Sequence, residues 1–166
     1  HIPVMVIAPH SFDDIYASIT LLGQATGHDV EAEKLVGSMK ARVAAVAEKT
    51  AAIPNEERPT VFWEVFDEPL MTASTQTATG QMIELAGGVN IFSDLKEDYP
   101  QISAEEVIKR NPAVIMGPDT HGSKLSIDQL GSRPGWSAIK AVKTGRVYLL
   151  NGDISSPRGP RMINAL

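Results

Sequence analysis

The chain contains no cysteine, which removes disulfides, iron–sulfur clusters, Cys-ligated zinc and thiol catalysis from consideration. It has no basic run either: 15 Lys and Arg stand against 20 Asp and Glu, for a net charge of −5. Nucleic-acid binding needs clustered cations to neutralise phosphates, so that function class is set aside. No run of about 18 apolar residues occurs, so no stretch qualifies as a membrane-spanning helix. Nucleotide signatures are missing as well: there is no GxGxxG after a strand and no GxxxxGK[ST]. Neither a GxSxG elbow nor an HExxH pair is present, and no internal repeat or low-complexity segment interrupts the chain.

What remains is an ordinary globular composition, 43% hydrophobic and 21% charged over 166 residues, enough for one domain with a proper core. The apolar run at residues 2–8 (IPVMVIA) predicts a strand buried on both faces. Ser11 followed by Asp14 forms a capping box that starts a helix over 12–26, ended by Gly27. From Asp29 to Ala52, Leu35, Val36, Met39, Val43 and Val46 recur at three and four residues, predicting a helix roughly 35 Å long. TVFWEVF (60–66), AVIMG (113–117) and RVYLLN (146–151) read as further strands, and IPNEERP (53–59) reads as a loop. Helices are expected at 78–86, 104–110, 123–131, from Trp136 and from 159, with Gly87-Gly88 closing the first of these. Alternation of this kind predicts an α/β fold with a mostly parallel sheet flanked by helices, in three layers.

Two candidate residues come from local chemistry. Ser103 sits at an N-cap with Glu106 three residues on, so Glu106 is expected to turn back to the Ser103 amide. Glu105 then projects into solvent from the first turn, where the helix dipole favours an acid. His121, in GPDTHG beyond a strand end, is the histidine best placed for a ligand, because open α/β sheets bind at the carboxyl ends of strands.

Six segments carry a resemblance: VFWEVFDEPLMTA (61–73), IELAGGVNIF (83–92), YPQISAEEV (99–107), NPAVIMG (111–117), PGWSAIKAVKTGRVY (134–148) and SPRGPRMINAL (156–166). In this order and spacing the chain is similar to the C-terminal part of a class III substrate-binding protein of ABC importers, and it is most like the vitamin B12-binding branch. The resemblance implies two α/β lobes joined by one long helix, with the ligand held between them. Residues 1–28 are then the last strand and helix of a truncated N-terminal lobe, 29–52 the bridging helix, and 53–166 the C-terminal lobe. It also implies ligand contacts at Met71, Tyr99 and Asp153. Met71 stands where the branch has an aromatic, and its polarizable sulfur can still pack on a flat ligand. Arg158 is the residue nearest a family arginine, displaced by one position. Glu105 matches the acid that pairs with arginines of the membrane permease.

The function implied is that of an extracytoplasmic solute-binding component of an ABC importer, needing no cofactor or metal of its own. Its cargo is cobalamin or a related corrinoid, with a ferric siderophore or haem as the alternative. A small α/β enzyme and a stand-alone interaction module are the readings from other classes. The chain starts at HIPVMVIA, without Met or an export signal, so a truncated or processed product is expected. An unpaired strand at 2–8 exposes an adhesive edge, which predicts either pairing with a second copy or packing on its own lobe.

Overall fold

The computed structural model describes residues 2, 4–120, 125–155 and 159–166. The helices are α1 (Phe12–Thr26), α2 (Asp29–Ala51), α3 (Ala78–Leu85), α4 (Ala104–Arg110), α5 (Ile127–Ser132), α6 (Lys140–Lys143) and α7 (Gly152–Ser155). The strands are β1 (Thr60–Asp67), β2 (Leu70–Thr72), β3 (Val89–Asn90), β4 (Val114–Pro118) and β5 (Val147–Leu150). Short 3-10 turns occupy Asn55–Glu57, Trp136–Ala138 and Pro160–Ala165.

β1, β4 and β5 form the parallel body of the sheet, with β3 pairing in parallel to the start of β1 and β2 folding back antiparallel on its end. The alternation of strands and helices in the sequence therefore produces the expected α/β sheet. Alternate β1 residues face opposite layers. Phe62 joins Phe92, Ile115, Leu130 and Trp136 on one face, while Val61 and Trp63 join Ala73, Ile83 and Val114 on the other. Edge-to-face contacts of Phe62 with Phe92 and Trp136, at centroid distances of 6.0 and 6.1 Å, concentrate the few aromatics in the first core.

Helix ends follow their sequence signals. The Ser11 hydroxyl accepts from the Asp14 amide at 3.2 Å while the Asp14 carboxylate accepts from the Ser11 and His10 amides at 3.0 and 3.1 Å. Those backbone N–H groups hold the Asp14 carboxyl below its usual range. After α3, Gly87 takes a left-handed φ of 81°, its amide bonding to the Glu84 carbonyl and the Gly88 amide to that of Ile83. Only glycine enters that conformation without strain, which is why the helix stops there. α1 and α2 pack as a pair, joining Phe12, Ile15, Ile19, Ala32 and Met39 to Met82 of α3 and to Met162 and Ile163.

Three expectations need correction. Residues 2–8 form no strand: none of the described residues there joins a ladder, and Ile2, Val4 and Val6 stand exposed. An apolar run becomes a buried strand only beside a partner edge, and no described strand lies alongside this one. Glu106 does not close a capping box. Ser103 Oγ accepts from the Glu106 amide at 3.2 Å, but the Glu106 carboxylate turns to Arg110 at 3.2 Å and Lys109 at 3.7 Å, whose full charges outcompete a single amide. Finally, the helix expected over 123–131 begins at Ile127, capped by Ser126.

Candidate functional site

Because β1, β4 and β5 run in one direction, Asp67, Pro118 and Leu150 end on the same edge of the sheet. Ligands of open α/β sheets collect outside this carboxyl edge. Beyond Asp67 the chain turns through Glu68 and a cis Pro69 and returns as β2, placing Met71 opposite Phe66. On its other side Met71 bridges to Gln101. The Thr72 and Ser74 amides donate to the Pro100 and Asp98 carbonyls at 3.2 and 3.0 Å, and the Ile102 amide donates to Leu70 at 2.9 Å. Residues 98–102 thus run antiparallel along 70–74. This pairing carries Tyr99 to the Met71 edge, half-buried against the cluster of Trp63 and Ala73. The same loop is tied to the start of α1 by contact between the His10 imidazole and the Asp98 carboxylate.

Asp153 lies past β5, in the first turn of α7, and is exposed. Its amide donates to Asn151 Oδ1 at 2.8 Å, and the neighbouring Gly152 amide donates to Asp119 Oδ1 at 2.8 Å. The loops after β4 and β5 are therefore stitched together. With strands about 4.8 Å apart, three steps from β2 to β5 separate Met71 from Asp153 by roughly 14 Å. Met71, Tyr99 and Asp153 share one edge, with Tyr99 beside Met71 and Asp153 at the far end. Arg158 and His121 lie outside the described residues.

Glu105 follows directly from the paired segment, two residues beyond Ser103 at the start of α4, and is exposed. The other end of α4 is anchored. Arg110 donates to both oxygens of Asp94 at 2.6 and 2.9 Å and to the Ile91 carbonyl at 2.5 Å, with its guanidinium 4.5 Å from the centre of the Phe92 ring. Hydrogen bonding to Arg110 holds the Asp94 carboxyl below its usual range, and the Asp94 side chain in turn raises Arg110. Fixing the last turn leaves the first turn, with Glu105, facing outward.

Reasoning from residues alone missed four contributors: Phe66 and Gln101 beside Met71, Asp119 beneath the Asp153 loop, and the pair Glu64–Arg133. Glu64 is 0% exposed, and Arg133 binds both its oxygens at 2.5 and 2.9 Å. The clue to that pair is an acid inside the apolar run VFWEVF, which demands a buried cation. Phe66 and Gln101 are brought to Met71 by register, which no local signal encodes. Among the described residues no group of three or more His, Asp or Glu side chains could hold a metal ion, and no helix is long and apolar enough to cross a membrane. The edge can therefore offer apolar contact at one end and carboxylate acceptors at the other.

The chain is similar to proteins of known sequence and structure. A Bacillus subtilis protein described as an uncharacterized ABC transporter substrate-binding lipoprotein is 33% identical over 157 residues, covering 94% of this chain and 48% of that protein. A vitamin B12-binding protein of Pectobacterium carotovorum is 31% identical over 167 residues, covering 99% of this chain and 56% of its own length. Among solved structures, a Staphylococcus epidermidis protein described as a possible iron-binding (periplasmic solute-binding) protein superposes with a TM-score of 0.84. It is 30% identical, over 97% of this chain and 62% of that one. The chain spans about half the length of the curated relatives it matches. The model of the periplasmic binding protein family matches residues 1–154, and the chain belongs to that family.

Proposed function

We propose that the chain is the C-terminal lobe, with its linking helix, of the solute-binding component of an ABC importer, acting outside the cytoplasmic membrane. In this reading α2 is the bridge, residues 53–166 form the lobe, and residues 1–28 belong to the remainder of the opposite lobe. It captures cobalamin or a related corrinoid and delivers it without altering it. The observation that carries this is the joint placement of Met71, Tyr99 and Asp153 on the carboxyl edge, with the exposed Glu105 two residues past the cap that ends the same segment. The first three side chains contact cargo, with Arg158 as a fourth contact. Glu105 pairs with a cation of the permease. An exposed ion pair contributes only about 0–1 kcal/mol, so it sets orientation more than affinity.

Absorbance titration of the full-length protein with cyanocobalamin, haemin and a ferric siderophore tests the reading. Saturable binding of cyanocobalamin, weakened by Tyr99→Ala, is the expected result; binding of none of the three would refute it. Glu105→Ala should leave binding intact while lowering permease-dependent uptake. The description of the Staphylococcus relative as possibly iron-binding supports a second cargo, a ferric siderophore or haem, which the same titration separates. Ile2, Val4, Met5 and Val6, apolar and exposed, are also a surface on which a second copy can pair. Size-exclusion chromatography with and without those residues tests that.

A further inference from the structure

Phe66 is the exception among the phenylalanines. The chain has four, and Phe12, Phe62 and Phe92 are buried, whereas Phe66 is 49% exposed. Its position results from an irregularity in the ladder. Glu64 pairs with Thr72, yet Phe66 pairs with Met71, so two steps along β1 match one step along β2. Side chains alternate faces along a strand, and directly paired residues share a face. In a regular ladder Phe66 would share the face of Glu64 and Phe62, covered by the first core. The extra residue, Val65, sends Phe66 to the opposite face instead, beside Met71.

Three strands of backbone therefore set three side chains in a row at the carboxyl edge: Phe66 on β1, Met71 on β2 and Gln101 on the outer segment. Tyr99, two residues before Gln101, lies on the same face and packs on the cluster of Trp63 and Ala73. The result is a shelf in which a half-exposed aromatic ring stands next to a thioether and near a phenol. A ring held at a strand end and left half in water is suited to receive another flat surface.

We propose that Phe66 is a ligand-contacting, specificity-determining residue that supplies the aromatic part of this shelf and favours cargo with an extended flat apolar face, such as a tetrapyrrole-type macrocycle, over an oxygen-rich ferric chelate. The inference rests on the solute-binding reading given above. The aromatic surface missing at Met71 is provided from the neighbouring strand, one ladder step away. The sulfur of Met71 and the ring of Phe66 then act together: the ring fixes the plane and the flexible thioether fills beneath it.

The test uses the full-length protein, Phe66→Ala and Phe66→Trp, each titrated by absorbance with cyanocobalamin, haemin and a ferric trihydroxamate. Thermal unfolding of each variant serves as a control, because a half-exposed side chain can be changed without opening the core. Phe66→Ala should weaken cyanocobalamin or haemin by about tenfold, while Phe66→Trp keeps or improves binding and trihydroxamate binding changes by less than about twofold. Unchanged macrocycle affinity in Phe66→Ala would overturn the inference and leave the solute-binding reading standing. An equal loss for all three ligands would overturn the preference for a flat face. If the parent protein binds none of the three, both the reading and the inference fall.

Discussion

One face of the sheet is sealed by α4, α5 and α6 around Phe62, Ile115 and Trp136, whereas the other, beneath α3, keeps a recess of about 350 Å3 lined by Trp63, Met116, Tyr148 and Leu150. The sealed face also holds the Glu64–Arg133 pair, with the Arg133 guanidinium stacked 4.6 Å from the centre of the Trp136 ring. The open face carries the half-buried and exposed residues, including Tyr99 and, through the ladder irregularity, Phe66 and Met71. The contrast teaches a division of labour. Rigidity is built on one side of each strand, while the other side leaves more of its surface uncovered.

The sharpest challenge to that division is Trp136→Ala. It empties a site that is 1% exposed and unstacks Arg133, so it should cost about 3–5 kcal/mol in urea unfolding. A loss below 1 kcal/mol would mean the sealed face is not the stabilising one. Next, Arg133→Met strands the Glu64 carboxylate in the core and should cost about 3 kcal/mol, because an unpaired buried charge is far worse than none. Adding Glu64→Gln to it should return at least half of that loss.

On the other layer the effects should shrink. Thr77→Ala removes the cap on the Gly80 amide, 3.0 Å from Thr77 Oγ1, and should cost about 1 kcal/mol, read from the thermal midpoint. Tyr148→Ala, at a ring 49% exposed, should stay within about 0.5 kcal/mol of the parent. The smallest effect belongs to Asp94, which is exposed at the rim of the sealed face. Its folded pKa is depressed by Arg110, so its stabilisation is present above the ordinary carboxyl value of 3.8 and disappears as pH falls through the lower folded value. The gap in thermal midpoint between the parent and Asp94→Asn should therefore close below about pH 4. A gap that does not narrow as the pH falls below 3.8 would contradict the assignment.

Much of the fold was legible because its signals are local. Ser11 with Asp14, Gly27, and Gly87-Gly88 each act through groups within five residues, and they delimit α1 and the end of α3 as the capping signals predicted. The parallel body of the sheet followed from continuous apolar runs such as VFWEVF. Residues 2–8 have the same composition but no neighbouring strand, and composition cannot supply one. Glu106 was misread for a related reason. Its competitor Arg110 is four residues ahead, and a charged partner at that spacing overrides an amide. As for the candidate site, the family likeness pointed to Met71, Tyr99, Asp153 and Glu105. The pairing of 98–102 with 70–74, which brings the first two together, depends on non-local register.

That pairing has a further consequence. Tyr99 and the Ser103 cap are four residues apart on one nearly extended segment, a span of about 14 Å, and the segment is bonded to β2 along its length. On the proposed reading, the sensor of cargo and the handle for the membrane partner sit on a single short lever. A push at the phenol of less than an ångström has little slack to absorb it before reaching Glu105, so loaded and empty states could be told apart from outside without any large motion of the lobe.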